Sequence, residues 1–194
     1  MRHEQLSVGQ LIGGPNGEVT RFLKMSVVAP AAAVANRFVT SVNMKVGAYT
    51  IANNGLPGDG LAHNVTVAQT AVGAEDTNGT MIVTGTDLRG NVISEVIVPN
   101  AGETVQGTKA FAKVTSVVGA GWVINEGNDT IVVGFGDVIG LPDFIPAVSD
   151  IVLAALDTAL INVPTVTVGA ALCQNTILAT GADGTKKLRV LYQI

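Results

Sequence analysis

The stretch Thr80–Val118, reading TMIVTGTDLRGNVISEVIVPNAGETVQGTKAFAKVTSVV, decides the fold class. Met81–Thr86 runs into Asp87-Leu88-Arg89-Gly90, and Asn91–Val98 runs back out. Asp at the first position and Gly at the last suit a type I turn closing a hairpin, because Gly takes the left-handed conformation without steric cost. The return strand places Val92, Ser94, Val96 and Val98 on one side and Asn91, Ile93, Glu95 and Ile97 on the other. Branched apolar residues stand on both sides, which predicts that both are at least partly covered by other protein. Thr104–Val118 is long for one strand and holds Gly107, so a bend or bulge is expected there.

Working outward, Phe38–Tyr49, Asn64–Val72, Gly121–Asn125 and Thr130–Phe135 read as further strands, separated by turn-rich pieces such as Asn53–Gly60. No helical pattern intervenes, so the chain is expected to be all-β, mainly an antiparallel sandwich or barrel. Residues 1–40 read as an extended arm with one short strand. Its apolar side chains (Phe22, Leu23, Met25, Val27, Val28) are too many for a solvated tail, so the arm is expected to lie on its own body or on a neighbour. Residues 41–140 form the β body. Residues 141–194 begin with a connector holding Pro142 and Pro146. Ser149-Asp150 then caps one short helix near 150–160, built on Ile151, Leu153, Ala154, Ala155, Leu156 and Leu160 and ended by Pro164. Thr165–Gly169 and Asn175–Thr180 follow as strands, packed on the body. A last hairpin turns at Asp183-Gly184, sending Leu188, Val190, Tyr192 and Ile194 inward.

The chain has 194 residues, enough for one full core with a smaller appendage. Charged residues make up 13%, about half the usual share, and aromatics 4%. Mean hydropathy is high for a protein in water. Weak surface charge with an apolar bias favours oligomerisation or docking on a larger body. A net charge of −4 with only 11 Lys and Arg argues against tracking phosphates, so no direct nucleic-acid binding is expected. The N-terminus lacks the pattern of a secretory signal, and the uncharged run between Asp157 and Asp183 carries Pro164, Gln174 and Asn175, so no membrane span is expected. One cysteine, Cys173, cannot form an internal disulfide and is expected to be a buried small side chain.

Chemistry-bearing patterns are scarce. His3 and His63 are unpaired in sequence, and neither is expected to ligate metal. Glu75-Asp76 and Glu126–Asp129 lack the spaced oxygen ligands of a calcium loop and read as turns. There is no G-x-S-x-G turn, Gly13-Gly14-Pro15-Asn16-Gly17 lacks the Lys of a phosphate loop, and Gly134-Phe135-Gly136 and Gly119-Ala120-Gly121 read as turn glycines. Trp122 is expected in the core. No catalytic residue, cofactor or metal is expected, and an enzyme is the least supported class.

The run Val83-Thr84-Gly85-Thr86-Asp87, Gly90-Asn91-Val92-Ile93-Ser94-Glu95 and Gly107-Thr108-Lys109-Ala110-Phe111, with Val65–Val72 and Asp76–Gly79 before it, resembles virion structural proteins of tailed bacteriophages. The ending Asp183–Tyr192 is similar to the terminal strands of such proteins. Among them, head decoration or cement proteins fit best. The resemblance implies a homo-oligomer, with a trimer favoured, on the capsid surface of a virion assembled in the host cytoplasm. It implies the major capsid protein as partner, with the arm as a strap, so Leu11, Phe22, Leu23, Met25 and Val27 are the candidate partner-binding residues. The alternative is a tail or head-fibre adhesin that reads host-surface glycans.

Overall fold

The computed structural model describes residues 4–8, 23–71, 73, 77–125, 127–157, 159–160, 166–167, 169 and 171–194. Among these the strands are β1 (Glu4–Val8), β2 (Leu23–Val28), β3 (Val34–Asn43), β4 (His63–Thr70), β5 (Thr80–Thr86), β6 (Val92–Ile97) and β7 (Thr104–Phe111). They continue as β8 (Lys113–Ala120), β9 (Thr130–Gly140), β10 (Ile151–Leu156), β11 (Ala159–Leu160), β12 (Val166–Thr167), β13 (Thr176–Leu178) and β14 (Leu188–Gln193). The fold is all-β, and the helical pieces among the described residues are single 3₁₀ turns. Antiparallel pairing builds three sheets, ordered β1-β2-β14-β10-β11, β12-β13-β9-β4-β7 and β6-β5-β8, with β3 also on β9. From Leu23 onward the N-terminal segment is woven into these sheets: β2 lies between β1 and β14, and β3 runs beside β9.

Two apolar cores hold the sheets together. In the first, Val65, Val67, Ile131, Val133 and Phe135 pack against Met81, Val83, Ile97, Val114 and Val117 of the β6-β5-β8 sheet. In the second, Leu188, Val190 and Tyr192 of β14 pack with Leu156 against Ile139, Leu141, Ile145 and Ile177. Each fully buried branched side chain contributes about 1.5–3 kcal/mol by leaving water. Strand β9 supplies both cores, with Ile131, Val133 and Phe135 in the first and Ile139 in the second.

The hairpin forms as its turn chemistry dictates. The Gly90 amide donates to the Asp87 carbonyl, the Asp87 carboxylate accepts from the Arg89 and Asn91 amides, and Gly90 has φ of 82°. β5 and β6 pair in register from Met81–Ile97 to Thr86–Val92. The expected long strand 104–118 is two strands. It breaks at Ala112, whose amide reaches the Thr86 carbonyl as the chain leaves the six-stranded sheet for the three-stranded one.

Four expectations are corrected. The short helix near 150–160 is absent: a 3₁₀ turn at Val148–Asp150 leads into β10, which pairs with β14. A register shift between Ile151 and Leu153 puts Val152 and Leu153 both outward, and that break in alternation imitates a helical period. The turn at Asp183-Gly184 exists, with the Asp183 carboxylate accepting from the Thr185 and Lys186 amides, but it closes no hairpin. β14 crosses to pair with β2 and β10, and Ile194 is exposed rather than inward. Gly134 and Gly136 lie inside β9, not in a turn. Finally, only one side of β6 is covered, by the first core.

The segments Gly90–Glu95 and Gly107–Phe111 meet in space. The Glu95 carboxylate of β6 accepts from the Thr108 amide at 2.6 Å, the Thr108 hydroxyl at 2.8 Å and the Lys109 amide at 3.2 Å. Lys109 Nζ returns a bond to the Ser94 carbonyl at 2.7 Å. These side chains clamp the edge of β6 to the edge of β7 where no backbone ladder joins them, and they occupy amides that would otherwise template another strand. Glu95→Ala is expected to lower unfolding stability by about 1–2 kcal/mol in a denaturant titration, since charged hydrogen bonds to an edge are lost. A change under about 0.5 kcal/mol, the level of a neutral surface substitution, contradicts the clamp.

Candidate docking surface

The outer face of the β6-β5-β8 sheet carries an exposed apolar row. Alternation that buries Met81, Val83, Ile97, Val114 and Val117 must turn their neighbours outward. Register aligns them: Ile82 stands opposite Val96 on β6 and Val118 on β8, forming a row across all three strands. Beside it run Ser94, Thr84 and Ser116. Val92 is 78% exposed, Val96 61%, Val98 55%, Ile82 45% and Val118 41%. No charged side chain interrupts this row, while Lys113 stands at the far end of the same face, opposite Thr86.

A second face lies on the β1-β2-β14-β10-β11 sheet. Of the candidate partner-binding residues, Leu23, Met25 and Val27 alternate along one side of β2, half-buried beside Gln193, Leu191 and Arg189 of β14. Met25 is opposite Leu191, which is opposite Leu153, and Leu153 is exposed. Leu11 and Phe22 lie outside the described residues. Val92, Val96, Val98, Ile82 and Val118 were not among the sequence candidates. The signal that could have found them is the second apolar parity of β6, which the sequence reading had assigned to burial.

The groups with altered ionisation are structural. His63 is fully buried against the Phe135 ring, with Nδ1 3.0 Å from the Gly136 carbonyl and Nε2 2.8 Å from Asp59 Oδ2. Both ring nitrogens are thus within hydrogen-bonding distance of an oxygen. Asp59 also accepts from the Ala31 amide at 2.9 Å and the Leu61 amide at 3.0 Å. Burial pushes its carboxyl up, but the His63 hydrogen bond and charge, with the two amides, outweigh this and hold it at about 2. Elsewhere, Lys24 and the Tyr192 hydroxyl both donate to Asp143, and burial followed by that bond raises the Tyr192 phenol. Cys173 is buried as expected, and burial raises its thiol, which makes it a poor nucleophile. Trp122 is half-buried on the edge of the first core, beside Tyr49. Among the described residues, no three His, Cys, Asp or Glu side chains gather as a metal site.

The chain matches no protein-family model, no curated protein and no solved structure. The surface itself is therefore the ground for a functional reading. Among the described residues no helix is long and apolar enough to cross a membrane.

Because Asp59 sits below its ordinary value of 3.8 when folded, it stabilises the fold above that pH and loses the contribution as pH falls through about 2. The shift corresponds to roughly 2 kcal/mol. Chemical unfolding followed from pH 5 down to pH 2 is expected to show the wild type losing about that much more stability than Asp59→Asn. Parallel curves for the two proteins contradict the assignment.

Proposed function

We propose that this protein is a structural component of a tailed-phage virion that binds the outside of the capsid and stabilises contacts between major capsid subunits. The observation that carries the reading is the uncharged outer row Val96–Ile82–Val118 with Val92 and Val98 around it. Apolar surface of this kind gains free energy only by being covered.

Size favours a large partner over a free pair. Three strands of about seven residues span about 14 Å by 23 Å, on the order of 330 Å². A stable two-body interface needs about 800 Å² on each side. One such face is therefore weak alone and becomes effective when several contacts are made together. A repeating shell supplies that condition, and the Leu23, Met25 and Val27 face of β2 offers a second contact. A clip that binds only the assembled lattice stabilises it by mass action against the outward pressure of packed DNA. The resemblance of the Asn64–Val118 stretch to phage virion proteins supports the same class of partner. A trimer would bring three such faces to one site.

Purified protein added to undecorated heads of the parent phage is expected to co-sediment with them and raise the temperature at which DNA is released. Val96→Asp, exposed and on an outer strand, is expected to keep the fold by circular dichroism while weakening head binding at least about tenfold. Absence of co-sedimentation by the wild type, or equal heat resistance of decorated and bare heads, overturns the proposal.

A further inference from the structure

At Gly134 and Gly136 neighbouring chain packs directly on the β9 backbone. A Cβ at 134 would collide with the Val34 carbonyl of β3, and one at 136 would press on the side-chain oxygens of Gln106 and Asn64. Just here β9 changes neighbour, from β3 at Val34–Phe135 to β13 at Leu178–Val138. The gap between the two neighbours is an open cleft of about 490 Å³, lined by Thr66, Thr104, Gln106, Asp137, Val138 and Leu178, with the small side chains of Ala33 and Ala35 on its wall. That volume lies within the range of about 300–1,000 Å³ typical of small-ligand sites.

One polar group in it is held in place. Asn64 is fully buried; its Nδ2 donates to the Gly107 carbonyl at 3.2 Å and its Oδ1 accepts from the Val138 amide at 3.2 Å. The same Nδ2 donates to Gln106 Oε1 at 2.6 Å. Gln106 is exposed; Asn64 tethers its oxygen, and its Nε2 group has no hydrogen-bond partner among the described residues. The Asp137 carboxylate likewise has no hydrogen-bond or ion-pair partner among the described residues. The cleft therefore offers a tethered amide donor, the Asp137 carboxylate and hydroxyls that both donate and accept, beside an apolar wall.

We propose that this cleft binds a neutral saccharide. Sugar hydroxyls donate to a carboxylate and accept from an amide at once, and the C–H side of the ring suits Val138 and Leu178. An anionic ligand is disfavoured, since Asp137 lines the cleft and no Lys or Arg does. A bare amine would leave the Gln106 donor without an acceptor. Without an exposed aromatic platform the affinity for one ring is expected on the order of 1 mM, useful only when many copies act together. The cleft is a separate surface from the apolar row of the β6-β5-β8 sheet, so its failure would leave the capsid-docking reading standing.

The test is a titration of the ¹⁵N-labelled full chain with maltose, cellobiose, lactose, sialyllactose and N-acetyl-lysine amide, followed by NMR. At least one neutral disaccharide is expected to shift the Gln106 side-chain NH₂ together with the Gly136 and Thr66 amides. Gln106→Ala is expected to weaken that binding about tenfold, as loss of one ligand hydrogen bond would. Thr104→Arg, at an exposed position on the rim, is expected to abolish it while the remaining spectrum stays unchanged. No shift with any neutral sugar, shifts with the lysine compound alone, equal binding of sialyllactose, or unweakened binding by Gln106→Ala each overturn the proposal.

Discussion

Strand β9 belongs to two cores at once, and the close packing on its outer side is the constraint around which the other elements are arranged. Its inward residues divide between the core under the three-stranded sheet and the core under the five-stranded one. Its outward glycines at 134 and 136 let the β3 backbone and two side-chain amides lie directly on it. Where the strand passes from one core to the other, the Gly136 carbonyl meets the buried His63 ring, and Asp59 ties that ring to the Ala31 and Leu61 amides. A buried pair of this sort adds modest stability and is costly to break, because the Asp59 carboxylate without its partner is a charge that burial disfavours. It fixes how β3, β4 and β9 meet.

The three-stranded sheet is fastened to this frame by side chains as well as by its core. Asp87 shapes the turn, Glu95 and Lys109 clamp β6 to β7, and Arg89 lies 3.8 Å from Asp143 beneath the second core. These contacts tie the sheet to the frame with its inner face filled and its outer face open. The side chains that fasten the sheet are largely those of the clamp and the turn. They account for how the surface is held, while the surface residues themselves are simple valines and isoleucines.

What could be read from the sequence was local. The Asp87–Gly90 hairpin, the burial of Leu188, Val190 and Tyr192, and the place of Cys173 follow from turn chemistry and period-two alternation. Sidedness was harder, because β6 carries Ile93 and Ile97 on one parity and Val92, Val96 and Val98 on the other, and composition does not tell which parity meets a core. β10 was misread because its bulge at Val152 breaks the alternation that marks a strand. The Asp183-Gly184 turn was visible, but the partner of β14 is chosen by the second core, far away in sequence. The Asp59–His63 spacing and the Glu95–Thr108 contact join residues whose pairing has no signature short of the fold. Of the candidate contact residues, Leu23, Met25 and Val27 fall on one face, whereas the barer face on β5, β6 and β8 was missed.

The central claim is that the outer face of the β6-β5-β8 sheet is covered by other polypeptide in the assembled particle. Hydroxyl-radical footprinting of the free protein and of particles carrying it, read by mass spectrometry at Val92, Val96, Val98, Ile82 and Val118, addresses this most directly. The account predicts strong labelling of these side chains in solution and marked protection on the particle, with exposed positions such as Val148 unchanged. Equal labelling of the valine row in both states would contradict it.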